Sequence, residues 1–240
     1  MPSHRPLVSI IVLNYNGKSV LEKCIRSILD TKYSHFEIIL VDNASTDGSV
    51  ELIEEEFGMN PRLKTIKNEW NLGYTRGNNV GILHARGKYI AFLNNDIEVE
   101  PNWLTQLIKP MEADRTIGAA QGKLLYLPSK KKIDNTGYFL TPYGFVIIRG
   151  RREEDVGQYS DEINIACVSG SAMIVRREAL DEVGPFDPTF SFMYGEADLC
   201  WRMWLRGYRV IFTPNSTVYH IGQATLGKIY GEKPSRKKFY

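Results

Sequence analysis

Tyr89-Ile90-Ala91-Phe92-Leu93-Asn94-Asn95-Asp96 is an apolar run that ends in two amides and a carboxylate. A short apolar run bounded by polar residues reads as an interior strand, and in an open α/β sheet ligands gather outside the carboxyl ends of such strands. Asp96 therefore stands where a ligand would be held. Asn94 and Asp96 are two positions apart, so in extended backbone they point to the same side, as a pair must to share a metal-bound phosphate. A strand exit capped by Asn and Asp, both common turn formers, accounts for the same residues without a ligand.

Working outward, residues 8–13 (VSIIVL) form a β-branched run followed by a turn at 14–17, and Val20, Leu21, Cys24, Ile25, Ile28 and Leu29 then recur at helical spacing. Residues 37–41 repeat the strand pattern, 42–48 (DNASTDG) are dense in turn and cap residues, and Val50, Ile53 and Phe57 mark a second helix. A third strand is expected at 63–66 and a third helix at 73–85, before the YIAFL strand. Strands alternating with helices predict a mostly parallel, Rossmann-like sheet with right-handed crossovers and helices on both faces.

Beyond Asp96 the order changes. Residues 103–111 read as helix, 117–125 as extended, and 137–148 (GYFLTPYGFVII) as a hairpin with Pro142 and Gly144 in its turn. Lys130 to Lys132 read as a solvated loop, and 149–161, charged and aperiodic, as a mobile loop over a site. A strand at 168–175 interrupted by Gly170, helices at 177–183 and 198–205 and a strand at 209–212 complete the pattern. Residues 228–240 carry Lys228, Lys233, Arg236, Lys237 and Lys238 with little apolar content and read as a loose basic tail.

A chain of 240 residues can bury a full core. We expect a single domain, with a nucleotide-binding half at 1–96, an acceptor and catalytic half at 97–227 and the tail at 228–240. Lys and Arg number 30 against 28 Asp and Glu, and the net charge of +2 gives no reason to propose a nucleic-acid partner. Cys24, Cys167 and Cys200 lie far apart, which fits neither a zinc site nor a disulfide framework, and they read as reduced core thiols of a cytoplasmic protein. No apolar stretch approaches the ~20 residues of a membrane span. The basic tail could still meet anionic lipid, which would place the chain at the inner face of the cell membrane.

The sheet reading gathers polar residues along one edge: Asn14, Tyr15 and Asn16 after the first strand, Asp42 and Asn43 after the second, Asn94 to Asp96 after the fourth. Neither the dinucleotide fingerprint G-x-G-x-x-G nor a P-loop is present, so side chains would have to hold the base of any bound nucleotide. An aspartate can accept a hydrogen bond from the imide N–H of uracil or thymine, and Tyr15 could pack beside the ring. Asp42 fits an Asx-turn or helix cap equally well.

The segments VSIIVLNYNG (8–17), VDNASTDGS (41–49), NLGYTRGNNVGI (71–82), LNND (93–96), VSGSAMIVRRE (168–178), GEADLCWR (195–202) and YHIGQAT (219–225) are similar, in order, to successive motifs of the family 2 glycosyltransferases. The nearest flavour is the rhamnosyltransferase-like group that extends bacterial and archaeal surface glycans. The resemblance implies a GT-A fold. It also implies inverting transfer of a sugar from a nucleotide diphosphate, UDP or TDP favoured, to a glycan or lipid-linked acceptor, with Mn²⁺ or Mg²⁺ on the diphosphate.

Carried over residue by residue, Asn14, Tyr15 and Asp42 match positions that hold base and ribose, and Asn16, Asn43, Asn71 and Gly73 accompany them in the same motifs. Asn94 and Asp96 match the outer positions of the D-x-D signature, with Asp96 on the metal. Here Asn94 and Asn95 replace charged residues; an amide can bond a ribose hydroxyl but brings no charge to a divalent ion. Asn78 stands where many relatives have an arginine near the diphosphate, which shifts weight to the metal.

An acceptor hydroxyl is a poor nucleophile, and a general base contributes roughly two to four orders of magnitude. Glu196 matches the acidic position taken as that base, in Gly195-Glu196-Ala197-Asp198 where the family more often has E-D-x-D. Glu196 and Asp198 also fit as first-turn acids favoured by the helix dipole, and Asp198 as a cap. His220 matches a histidine that meets the metal or diphosphate, although a lone histidine is also a common structural residue. Ser169, Gly170 and Ser171 resemble the loop lining the sugar and acceptor site. Trp201 and Trp204 fit core or acceptor platform alike.

A processive synthase is disfavoured by the missing Q-x-x-R-W motif. A sugar nucleotidyltransferase would need a glycine-rich loop after the first strand. A non-catalytic nucleotide-sugar-binding module stays open because of the amide-rich LNND.

Overall fold

The computed structural model describes residues 5–191 and 193–222. The basic tail and the last residues of the 219–225 motif lie outside them. In chain order the elements are β1 (Val8–Asn14), α1 (Leu21–Leu29), β2 (Phe36–Asp42), α2 (Ser49–Phe57), β3 (Leu63–Lys67), α3 (Gly73–His84), β4 (Tyr89–Asn94), β5 (Ile97–Val99) and α4 (Trp103–Ala113). They continue with β6 (Ile117–Tyr126), β7 (Ile133–Asn135), β8 (Tyr138–Leu140), β9 (Val146–Ile148), β10 (Ile163–Asn164), β11 (Ala172–Arg176), α5 (Arg177–Val183), α6 (Gly195–Leu205) and β12 (Arg209–His220).

The main sheet runs β10-β12-β6-β11-β4-β1-β2-β3, with β5 added to β12 and β7 to β6. β3, β2, β1 and β4 are mutually parallel. β11 lies antiparallel between β4 and β6, and β6 pairs in parallel with β12. The near-continuous apolar runs of β1, β2 and β4 follow from burial on both faces. Val8, Ile10 and Val12 of β1, Ile38 and Leu40 of β2 and Ala91 and Leu93 of β4 join the core beneath α1, α2 and α4. Ile11, Ile39, Val41, Ile90 and Phe92 turn to the other face and pack with Phe186, Leu199 and Met203. Cys24, Cys167 and Cys200 are buried free thiols.

The structure departs from the sequence pattern in three places. The strand expected at 168–175 begins only at Ala172, since 169–171 turn across the end of β4, where the Asn94 N–H donates to the Ser171 carbonyl at 2.9 Å. The strand expected to end at Phe212 runs on to His220, with a register shift between Phe212 and Thr217 absorbing the Pro-Asn-Ser step. The 149–161 segment is anchored. Arg149 donates to Thr136 Oγ1 and to the Thr136 carbonyl, each at 3.0 Å, and stacks on Phe212, while Asp155 pairs with Lys123 at 2.8 Å.

Candidate active site

Parallel register brings three strand ends together: Asn14 stands opposite Asp42, and Leu13 opposite Asn94. Asn14 is fully buried and its Nδ2 faces Asp42 Oδ1 at 2.8 Å, Ser49 Oγ at 2.9 Å and Ser45 Oγ at 3.1 Å. Its Oδ1 accepts from Asn95 Nδ2 at 2.7 Å. Asp42 also accepts from the Ser45 N–H at 2.9 Å and from the Ser45 hydroxyl at 2.5 Å, so its carboxylate closes an Asx-type turn. Asn16, at φ 50°, accepts from the Thr46 N–H at 2.9 Å.

A second amide cluster sits beyond β2. Asn43 Nδ2 donates to the Gly73 carbonyl at 3.0 Å and to Asn71 Oδ1 at 3.2 Å, while its Oδ1 accepts from Asn68. Gly73 is glycine for a reason: its φ is +75°, and an added Cβ would stand 2.6 Å from the Ser191 carbonyl oxygen. The next residue, Tyr74, donates its N–H to that carbonyl at 2.9 Å and its hydroxyl to the Gly170 carbonyl at 2.8 Å.

Antiparallel pairing of β12 with β5 sets His220 opposite Ile97, and the Ile221 N–H donates to the Asp96 carbonyl at 3.1 Å. His220 Nε2 then lies 3.4 Å from Asp96 Oδ1, and Nδ1 lies 2.7 Å from Asp134 Oδ2. Burial alone would lower the histidine pKa, but the hydrogen bonds to Asp134 and Asp96 outweigh it and push it up to about 9. Burial likewise opposes the Asp134 charge, yet His220 and the Tyr126 hydroxyl hold its carboxyl below the usual range.

Glu196 opens α6 directly after Tyr194, which sits in the left-handed region at φ 70°. Burial pushes its carboxyl above the ordinary value, and among the described residues no Lys, Arg or His ion pair to it is formed. Its field in turn raises Tyr74, Tyr138 and Cys167, all of them already raised by burial. A desolvated carboxylate without a cation is a stronger proton acceptor than a solvated one.

Tyr15, Asn43, Asn71, Gly73, Asn94, Asn95, Asp96, Gly170, Ser171, Glu196 and His220 line one cavity of about 640 Å³. Asn14, Asn16, Asp42, Asn78 and Asp198 are not on its wall. Asn14 and Asp42 brace the strand ends from below. Asn78 donates to the Tyr74 carbonyl at 3.0 Å and its buried Oδ1 has no hydrogen-bond partner. Asp198 pairs with Arg202 at 2.8 Å, whose guanidinium holds the carbonyls of Val183, Gly184 and Pro185. Trp204 donates to the Ala166 carbonyl at 3.1 Å and packs on the core, whereas Trp201 is 54% exposed.

Sequence reasoning missed Tyr74, Asp134, Tyr138, Arg151 and Tyr194, which share the wall. Tyr74 lay in a quoted motif, and its single hydroxyl among glycines was the available signal. Asp134 and Arg151 came from aperiodic sequence with no signal at all. Among the described residues Arg151 is the lone Lys or Arg lining the cavity.

Among the described residues no group of three or more His, Cys, Asp or Glu could hold a metal by itself. Asp96 and His220 nonetheless offer one hard oxygen and one imidazole nitrogen on the same wall. That set suits Mn²⁺ or Mg²⁺ shared with the oxygens of a bound diphosphate, the usual way such ions are held.

The family model described as Glycosyl transferase family 2 matches residues 9–184. The O-antigen biosynthesis protein RfbC of Myxococcus xanthus is 30% identical over 90% of this chain and 17% of its own. The first relatives matched are spanned for only 17% to 43% of their lengths. Among solved structures, GalNAc-T7 with UDP, GalNAc and Mn²⁺ superposes with a TM-score of 0.74 at 20% identity, covering 90% of this chain and 43% of that one. The mannosyltransferase PcManGT of Pyrobaculum calidifontis with GDP-Man and Mn²⁺ gives 0.68 at 20% identity, covering 92% and 58%. At that identity the likeness shows the fold, which is of the GT-A type. No helix of the described residues is long and apolar enough to cross a membrane.

Proposed function

The chain belongs to Glycosyl transferase family 2, and on that premise we propose that it is an inverting glycosyltransferase using a nucleotide-diphosphate sugar, UDP or TDP first. One observation carries this reading. The cavity holds a desolvated carboxylate without a cationic partner, Glu196, and a separate pole of Asp96 and His220 suited to a metal-bound diphosphate. Glu196 takes the proton of the acceptor hydroxyl as that oxygen bonds the anomeric carbon. The bond from that carbon to the diphosphate breaks on the opposite face, hence inversion.

Tyr15, Asn43, Asn71 and Gly73 would receive base and ribose, with Asn94 and Asn95 on the ribose side of the diphosphate. Asp96 and His220 would hold Mn²⁺ or Mg²⁺, which when bound stabilises the leaving diphosphate as a Lewis acid. Arg151 adds a cation that the asparagine at position 78 does not supply. Gly170 and Ser171 leave room for the transferred sugar beside Glu196. The acceptor is a glycan or lipid-linked hydroxyl. Val146 and Ile148 line the cavity, and the hairpin beyond exposes Tyr143 (88%) and Phe145 (70%), which supports an acceptor with an apolar portion. Contact with a membrane surface through the basic tail, and residence at the cytoplasmic face, belong to the same proposal.

The test is thermal unfolding against UDP, TDP, GDP and CMP and their sugars, each with and without Mn²⁺ or Mg²⁺. A ligand at ~100 times its dissociation constant adds about 2.7 kcal/mol, a visible shift. Metal-dependent stabilisation by one diphosphate, lost in Asp96→Ala, supports the reading and names the base. Stabilisation by no nucleotide in a folded sample overturns it.

A further inference from the structure

We propose that Asp134 is a positioning residue for the diphosphate pole: by accepting from His220 Nδ1 it turns the imidazole so that Nε2 is the atom offered beside Asp96. The inference rests on the reading of that pole as a metal and diphosphate site, and names a residue outside every motif of the chain.

The backbone of His220 is fixed on both sides, paired with Ile97 of β5 and with Tyr126 of β6. Backbone pairing leaves the ring free to flip about its own axis, which would carry Nε2 away from Asp96. The hydrogen bond from Nδ1 to Asp134 Oδ2 at 2.7 Å removes that freedom. It also assigns the Nδ1 proton, and a ring that donates from one nitrogen presents the lone pair of the other to a metal. Nε2 stands 3.4 Å from Asp96 Oδ1. Two donors each ~2.1 Å from one ion and at right angles are about 3 Å apart, so a small closing movement lets both reach it.

Asp134 is itself held. It is the middle residue of β7, whose neighbours Ile133 and Asn135 pair with Leu125 and Leu124 across a register irregularity in β6. The Tyr126 hydroxyl bonds its carboxylate, and the Arg151 charge faces it. The side chains of Asp134, His220 and Asp96 are 14%, 11% and 5% exposed, so water competes little for these bonds. Asp134 acts through the ring rather than as a ligand of its own: it meets Nδ1, the side of the imidazole away from Asp96, and the trio is no preformed metal cluster.

The experiment is Mn²⁺ affinity, read from the free-ion paramagnetic resonance signal, for the full chain alone and with UDP. The variants are Asp134→Ala, Asp134→Asn, His220→Ala and the Asp134→Ala/His220→Ala double, each checked for folding. We expect Asp134→Ala to weaken Mn²⁺ about 10- to 100-fold and Asp134→Asn, which keeps an acceptor oxygen, to fall between it and wild type. In the His220→Ala background the second substitution should add nothing. Unchanged Mn²⁺ affinity in Asp134→Ala overturns the proposal, as does an undiminished effect of Asp134→Ala once His220 is gone. Wild type that binds no Mn²⁺ with or without UDP overturns the metal pole itself, and with it the role of Asp134. Loss of affinity in His220→Ala but not in Asp134→Ala leaves the pole standing and removes Asp134 from it.

Discussion

Asn95 donates to Asn14 at 2.7 Å, so the strand end that carries the LNND signature is tied through one buried amide to the ends of β1 and β2. Removing that amide in Asn14→Ala strands the Asp42 carboxylate and the Asn95 amide. Such orphaned groups cost about 1–3 kcal/mol each where water cannot replace the partner. The expected outcome is a fall in Tm of about 2–4 °C per kcal/mol, measured by calorimetry, together with weaker donor binding.

Glu196→Gln is expected to cost about two to four orders of magnitude in kcat while donor affinity stays near wild type, as titration calorimetry would show. Stability should move the other way. Burial raises the folded-state pKa above its ordinary value of 4.5, so between the unfolded and folded values the folded chain holds the extra proton. Stability then falls as pH rises through that window and stays lowered above it. Gln abolishes this loss, so the Tm advantage of the variant should grow with pH from about 4 upward. An unchanged pH profile would show that Glu196 is not desolvated.

At Gly170 an added Cβ would lie 2.8 Å from the Tyr74 hydroxyl and 3.3 Å from Glu196 Cδ. Gly170→Ala should displace the carboxylate and lower kcat by about a hundredfold, the usual effect of a ~1 Å error at a reacting group. Tyr74→Phe, which gives up the hydrogen bond without crowding, should lose less. Steady-state kinetics on both variants decide the matter; equal losses would implicate the hydrogen bond instead.

Arg151 is exposed where it meets the cavity, and its charge is correspondingly screened. Arg151→Ala should weaken a nucleoside diphosphate by several-fold at low salt and progressively less as ionic strength rises. The nucleoside alone should bind both proteins equally. Equal loss for nucleoside and diphosphate would place Arg151 on the base or ribose instead.

The donor-side architecture was legible because β1, β2 and β4 are buried on both faces and write that burial as unbroken apolar runs, while α1 writes its single buried face as helical spacing. The acceptor side was not. β12 crosses Pro214, Asn215 and Ser216, which read as a strand end, and stays in the sheet only because β6 tolerates a shifted register. Asp134 meets His220 across 86 residues through a strand of three, a juxtaposition that pairing creates and local pattern does not encode. Motifs also named residues without distinguishing wall from foundation. Asn14 and Asp42 share segments with Tyr15 and Asn43, yet the former pair spend their polar atoms on the protein.

The bond from Tyr74 to the Ser191 carbonyl joins the donor-side helix to the loop that leads into Glu196, and it is made of main chain on both ends. Its demands are therefore lopsided. Any side chain is acceptable at position 191, while position 73 accepts only glycine. A hybrid enzyme that takes its first 96 residues from this chain and the remainder from a relative should keep its proton acceptor in register whatever stands at the 191 equivalent. The reverse graft fails unless the incoming donor half brings its own glycine to that seam.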